Sequence, residues 1–227
     1  MEVLMYRTKR SKILSQMAGL VLAVMILTAS CSEKEHYALI KTEYGDMKVL
    51  LYNSTPKHRD NFIKLASEGF YNGLLFHRVI EGFMLQGGDP DSRTAGKEQM
   101  LGQGGPGYEV DAEIGAYHYK GALAAARQGD AVNPEKKSSG SQFYIIQGIA
   151  INDQLLQQME QQKEFQYSED ARSGYLSQGG YPPLDGDYTV FGEVVEGLDV
   201  IDRISAVQTN QFDRPLQDIR MEIVMIN

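Results

Sequence analysis

Beyond residue 37 the apolar positions recur in short alternating runs, broken by turns, and long helical stripes are few. Residues 38–42 (A-L-I-K-T) and 47–52 (M-K-V-L-L-Y) flank Glu43-Tyr44-Gly45-Asp46, which predicts two strands joined by a glycine-containing turn. Thr55-Pro56 then opens a helix. Threonine suits an N-cap and proline the first helical position, while Phe62, Leu65 and Ala66 form an apolar stripe that stops at Gly69. Strands follow at Phe76–Ile80 and Phe83–Gln86, and strict alternation puts Phe76, Arg78 and Ile80 on one face, His77 and Val79 on the other. Residues 87–107 are rich in glycine and polar side chains and read as a surface loop. Alternation returns near 122–126, 142–147 and 188–195; Leu198, Ile201 and Ile204 predict a second helix, and 219–226 a closing strand. Residues 148–182 stand apart. Leu155, Leu156 and Met159 have helical spacing on a glutamine-rich background, so this stretch is expected to be an insertion carrying one helix, either plain surface structure or a partner-binding arm. The pattern as a whole argues for an all-β barrel with helical caps.

The first thirty residues do not belong to that pattern. R-T-K-R-S-K (7–12) precedes an apolar run from Met17 to Leu27 that ends in Thr28-Ala29-Ser30-Cys31, the order of a signal peptide. The run is about a dozen residues where a spanning helix needs roughly twenty. With the single cysteine at its end, it resembles the lipobox of bacterial lipoproteins, which implies lipidation of Cys31 and anchoring to a bilayer. Thr28 departs from the leucine usual at its place, and a plain secretory signal is the competing reading. The expected division is therefore a signal peptide over 1–30, an anchor and short linker over 31–36, and one domain over 37–227. Its expected location is the cell envelope, lipid-anchored at the outer membrane.

Charge and cysteine content exclude several classes of chemistry. The chain carries a net charge of −8, and because its first thirty residues are basic, the remainder is more acidic still. No basic run follows residue 12, so nucleic acid is not an expected partner. One cysteine allows no intrachain disulfide and no Cys-based zinc or redox pair, and the four histidines lack metal-ligand spacing. No metal or cofactor is expected.

The chemistry-bearing residues sit in three stretches: F-H-R-V-I with F-M-L-Q-G-G-D (Phe76–Asp89), G-S-Q-F-Y (Gly140–Tyr144) and L-D-G-D-Y-T-V-F-G (Leu184–Gly192). Taken alone, Arg78 could be a structural ion-pair partner, and the aromatic residues could be core. Together and in this order, the three stretches resemble the signatures of the cyclophilins. The resemblance runs from about Tyr37 to the C-terminus, interrupted by the insertion. It implies a closed eight-stranded antiparallel β-barrel capped by two helices, and peptidyl-prolyl cis-trans isomerase activity on exported or unfolded polypeptides by a monomer. Carried over by position, Arg78 matches the catalytic arginine, and Phe83, Met84, Tyr144 and Leu184 match walls of the proline pocket. Gln86 and Gln142 match the residues that hold the peptide, Gln142 being placed with Arg78 in the catalytic set, and Ala126 matches a backbone contact. Tyr144 itself replaces the usual phenylalanine, and three further positions depart from the pattern. Arg127 replaces an asparagine, Tyr188 stands where many members have histidine and also lines the groove, and Pro183 takes the place of a tryptophan. Those departures motivate an alternative, a proline-peptide-binding module or adaptor without turnover. Glycan binding is a third reading, for which the chain supplies no tryptophan platform.

Overall fold

The computed structural model describes residues 34–226; residues 1–30, expected to be a signal peptide, and Cys31 lie outside the described residues. Strand β1 (His36–Thr42) pairs antiparallel with β2 (Gly45–Leu51). Their turn needs the φ of +124° that Gly45 supplies. Helix α1 (Pro56–Ser67) follows and buries Phe62, Leu65 and Ala66, as its stripe predicts. Its N-terminus is satisfied differently from the sequence expectation. The Thr55 side chain makes no capping bond; instead the amides of Lys57 and His58 donate to the two carboxylate oxygens of Glu113, at 3.1 and 3.0 Å.

The remaining strands are β3 (Phe76–Ile80), β4 (Met84–Gly87), β5 (Glu109–Val110), β6 (Ala122–Ala125), β7 (Ser138–Ser139), β8 (Phe143–Ile146), β9 (Val190–Glu196) and β10 (Glu222–Ile226). Eight of the ten described strands form one sheet in the order β10-β1-β2-β9-β6-β8-β4-β3, and β5 pairs with β7 separately. Its interior holds Ile40, Val49, Leu51, Leu85, Leu123, Phe143 and Ile145 among others, with Phe143 meeting Phe62 and Tyr71 edge-on at 5.7 and 5.6 Å.

The closed barrel capped by two helices is not what forms. Among the described residues the sheet is an open, curled half-barrel with four α-helices, because no ladder joins its end strands. One isolated bridge, Leu75 to Arg220, approaches the gap, and beyond it the edge of β3 is covered by irregular chain: the Val79 amide donates to the Asp213 carbonyl at 2.8 Å. The expected closing strand is correspondingly shorter, with Ile219 and Met221 buried ahead of β10.

The insertion also differs from expectation. It carries two helices, α2 (Asp153–Lys163) and α3 (Glu169–Gln178), and α4 (Leu198–Ser205) lies after β9. Asn152 caps α2 by accepting from the Leu155 amide, and Ser168 caps α3 by accepting from the Ala171 amide. Leu156, Met159, Tyr167, Ala171 and Tyr175 bury a small core of their own, against which Tyr117 and Tyr119 pack.

Candidate functional site

Strand alternation places a second set of side chains on the outer face of the sheet. On β8, Phe143 and Ile145 point inward while Tyr144 and Ile146 point outward; on β4, Leu85 points inward and Met84 outward. On β3 the register shifts between Phe76 and Arg78. Phe76 and Val79 both enter the interior, so Phe76 does not share a face with Arg78 as simple alternation expects. The bulge leaves Arg78 half-buried, opposite Gln86; Gln86 lies opposite Tyr144, and Tyr144 opposite Ala124. One row thus crosses four neighbouring strands.

Arg78 forms an ion pair with Asp213, Nε to Oδ2 at 3.4 Å, and both side chains are more than two-fifths exposed, so the contact is weak and screened. Next to it, His77 is buried and its ring nitrogens reach no hydrogen-bond partner. Burial pushes its pKa down to about 4, so it adds no charge beside the guanidinium near neutral pH.

Gln86 Nε2 donates to Gln142 Oε1 at 3.1 Å, and Gln142 Nε2 donates to the Gly104 carbonyl at 2.8 Å. Gln142 is therefore buried and committed at both ends. The loop that supplies Gly104 is tied down by the buried Asp89, whose carboxylate accepts from the amides of Asp91, Gly102 and Gly104. A Cβ at Gly104 would collide with that carboxylate, and this explains a glycine there. Two cavities open along the row. One of about 260 Å³ is lined by His77, Arg78, Gln86, Gln99, Met100 and Phe212, the other of about 430 Å³ by Gln86, Gly104, Ala126, Arg127 and Gln142.

The apolar residues gather beside these cavities. Met84 and Tyr144 are buried, and the partly buried Phe83, Ala126, Leu184 and Tyr188 pack on them. Ala126 belongs to both the apolar cluster and the larger cavity. Tyr188 stands edge-on to Tyr144 at 5.9 Å, and the Arg127 guanidinium lies 4.5 Å from the Tyr188 ring centre. Every described site residue expected from the sequence is thus brought to one face.

Three further residues were not anticipated. Tyr181 packs on Phe83 with ring centres 4.4 Å apart. Behind the cluster, the fully buried His118 holds the Tyr144 hydroxyl at 3.0 Å through Nε2 and the Asp185 carboxylate at 2.8 Å through Nδ1. Burial raises the Tyr144 phenol well above its ordinary pKa, keeping it a neutral donor. No sequence spacing links His118, Tyr144 and Asp185; folding alone brings them together. Among the described residues no three His, Cys, Asp or Glu side chains gather as a metal site.

The expected β-barrel and the expected membrane-bound lipoprotein character are not carried by this structure. The sheet is open, no helix among the described residues is long and apolar enough to cross a membrane, and Cys31 lies outside them.

Comparison with known proteins identifies the family. A protein of Staphylococcus saprophyticus whose name assigns it as a peptidyl-prolyl cis-trans isomerase is 34% identical over 201 residues, covering 88% of this chain and 96% of its own. A Streptococcus pyogenes protein, named as a bifunctional phosphatase and peptidyl-prolyl cis-trans isomerase, is 34% identical over 190 residues, 82% of this chain and 38% of its own. The crystal structure of a Cryptosporidium parvum cyclophilin-type isomerase superposes with a TM-score of 0.61 at 26% identity, covering 86% of this chain and 99% of that one. The same protein in the presence of the dipeptide Ala-Pro gives 0.59, covering 84% and 99%. Residues 37–225 match the family model described as cyclophilin type peptidyl-prolyl cis-trans isomerase/CLD. With the arginine, the glutamine pair and the apolar cluster on one face, the chain belongs to the cyclophilin-type peptidyl-prolyl cis-trans isomerases, enzymes acting on proline-containing substrates.

Proposed function

We propose that Arg78 accelerates X-Pro isomerisation by stabilising the twisted amide. Rotation about an X-Pro bond crosses a barrier of roughly 18–20 kcal/mol because it breaks amide resonance. At the midpoint the prolyl nitrogen becomes pyramidal and regains a lone pair. A guanidinium, charged at any working pH, can donate to that nitrogen and so favour the midpoint over both planar ends. The cluster of Phe83, Met84, Tyr144, Leu184 and Tyr188 takes the proline ring, while Gln86 meets the peptide backbone and Gln142 holds Gln86 in place. Excluding water from the ring side strengthens the donated bond.

The observation that carries this reading is the row Arg78, Gln86, Tyr144, in which the arginine's ion pair is long and half exposed. Arg78→Ala tests it. In a protease-coupled proline-peptide assay, kcat/KM is expected to fall roughly a hundredfold, the loss typical of removing one positioned donor. Equal rates for the two proteins would remove Arg78 from the mechanism. We place the clients among exported polypeptides on the reading of residues 1–30 as an export segment. Cell fractionation tests that, and recovery of the protein in the cytoplasm would end it.

A further inference from the structure

The insertion grips the loop that carries two pocket residues. Asp185 lies between Leu184 and Tyr188 and is almost fully buried. One carboxylate oxygen accepts from Tyr167 at 2.8 Å and Tyr175 at 2.5 Å, hydroxyls of the insertion. The other accepts from the His118 backbone amide at 2.9 Å and meets His118 Nδ1 at 2.8 Å. A carboxylate at Asp185 can only accept from His118 Nδ1, and in that tautomer Nε2 accepts from the Tyr144 hydroxyl. Lys163, at the end of α2, donates to the Asp185 carbonyl at 2.5 Å and to Asp187 Oδ2 at 2.7 Å. The Asp187 carbonyl in turn accepts from Arg127 Nε at 2.8 Å. Hydrogen bonds therefore run unbroken from the insertion to Tyr144 by way of Asp185 and His118, and to Arg127 by way of Asp187.

We propose that α2 and α3 act as a buttress for the proline pocket, with Asp185 and His118 as positioning residues that fix where Tyr144, Leu184 and Tyr188 stand. The branch through Asp185 and His118 to Tyr144 is buried, so no water competes for its members, and a hydroxyl lost at one end is felt at the other. The Tyr144 ring is held from behind at its hydroxyl and from the front by Tyr188, leaving it one orientation toward substrate. This proposal rests on the isomerase reading of the pocket and assigns the inserted helices to it.

The double variant Tyr167→Phe/Tyr175→Phe keeps both rings and removes both hydroxyls from Asp185. KM for a proline peptide is expected to rise about fivefold or more, with kcat changed less than about twofold. In a Tyr144→Phe background, where the branch to Tyr144 is already cut, the same pair should raise KM by a smaller factor than in wild type. Lys163→Met, at the helix end, should raise KM in the same direction and serves if the double variant does not fold. A folded double variant with KM unmoved, or equal increments in the two backgrounds, overturns the proposal. Wild-type protein without isomerase activity would defeat the functional reading itself; the same comparison is then made on peptide Kd by NMR titration and judged by the same outcomes.

Discussion

His77 and Arg78 are neighbours in sequence with opposite relations to water. The bulge in β3 sends the arginine outward and leaves the histidine buried without a partner. The consequence is measurable in acid. Below its ordinary pKa of 6.5 the unfolded chain takes up a proton that folded His77, at about 4, refuses. Stability from this residue is therefore fully present above pH 6.5 and is lost as pH falls toward 4, by up to about 3 kcal/mol. Urea unfolding of wild type and His77→Met across that range should give curves that diverge as the pH drops; parallel curves would contradict the account. At this scale the site was largely legible, because the F-H-R, F-M-L-Q-G-G-D and G-S-Q-F-Y stretches are contiguous and name Arg78, Phe83, Met84, Gln86, Gln142 and Tyr144 directly. His118 and Asp185 were not legible as partners. Their relation to Tyr144 exists only after three separate segments have folded together.

Elements show where local pattern stops sufficing. The N-terminus of α1 is held by Glu113 from a distant loop, and a cap of that kind leaves no mark near residue 55. Glu113→Ala should cost about 1–2 kcal/mol in urea unfolding, the scale of losing an N-cap, whereas Thr55→Ser should cost little. The second helix of the insertion was hidden by its composition: it is polar, and Gly174 interrupts its middle. That glycine has a packing cause, since a Cβ there would sit 2.8–2.9 Å from the Tyr119 ring. Gly174→Ala, which in an open helix would stabilise by roughly 0.5–1 kcal/mol, should here destabilise. A rise in unfolding free energy for that variant would show that the ring yields easily. The strand pattern itself was readable from period-2 alternation, but the bulge at His77 was not, because alternation carries no signal for an extra residue.

Across the whole molecule, the eight strands were foreseeable, but the way they end was not. Whether a sheet closes depends on its two outermost strands, and here irregular chain around Asp213 occupies the place of a ladder. Charge acts at the same scale. With a net −8, the protein should attract basic peptides from solution. A lysine-flanked proline substrate should show a higher kcat/KM than a glutamate-flanked one at low salt. The ratio should shrink as the screening length falls from about 30 Å at 0.01 M salt to about 10 Å at 0.1 M. A ratio indifferent to salt would mean that only local contacts discriminate between them.

The cover over β3 has a bearing on the company this enzyme keeps. A bare outermost strand offers a template on which sticky, half-folded chains can add themselves. Here the Val79 amide is already spoken for by Asp213. An enzyme acting on proline-containing polypeptides can thus meet aggregation-prone neighbours along this rim without being recruited into their deposits.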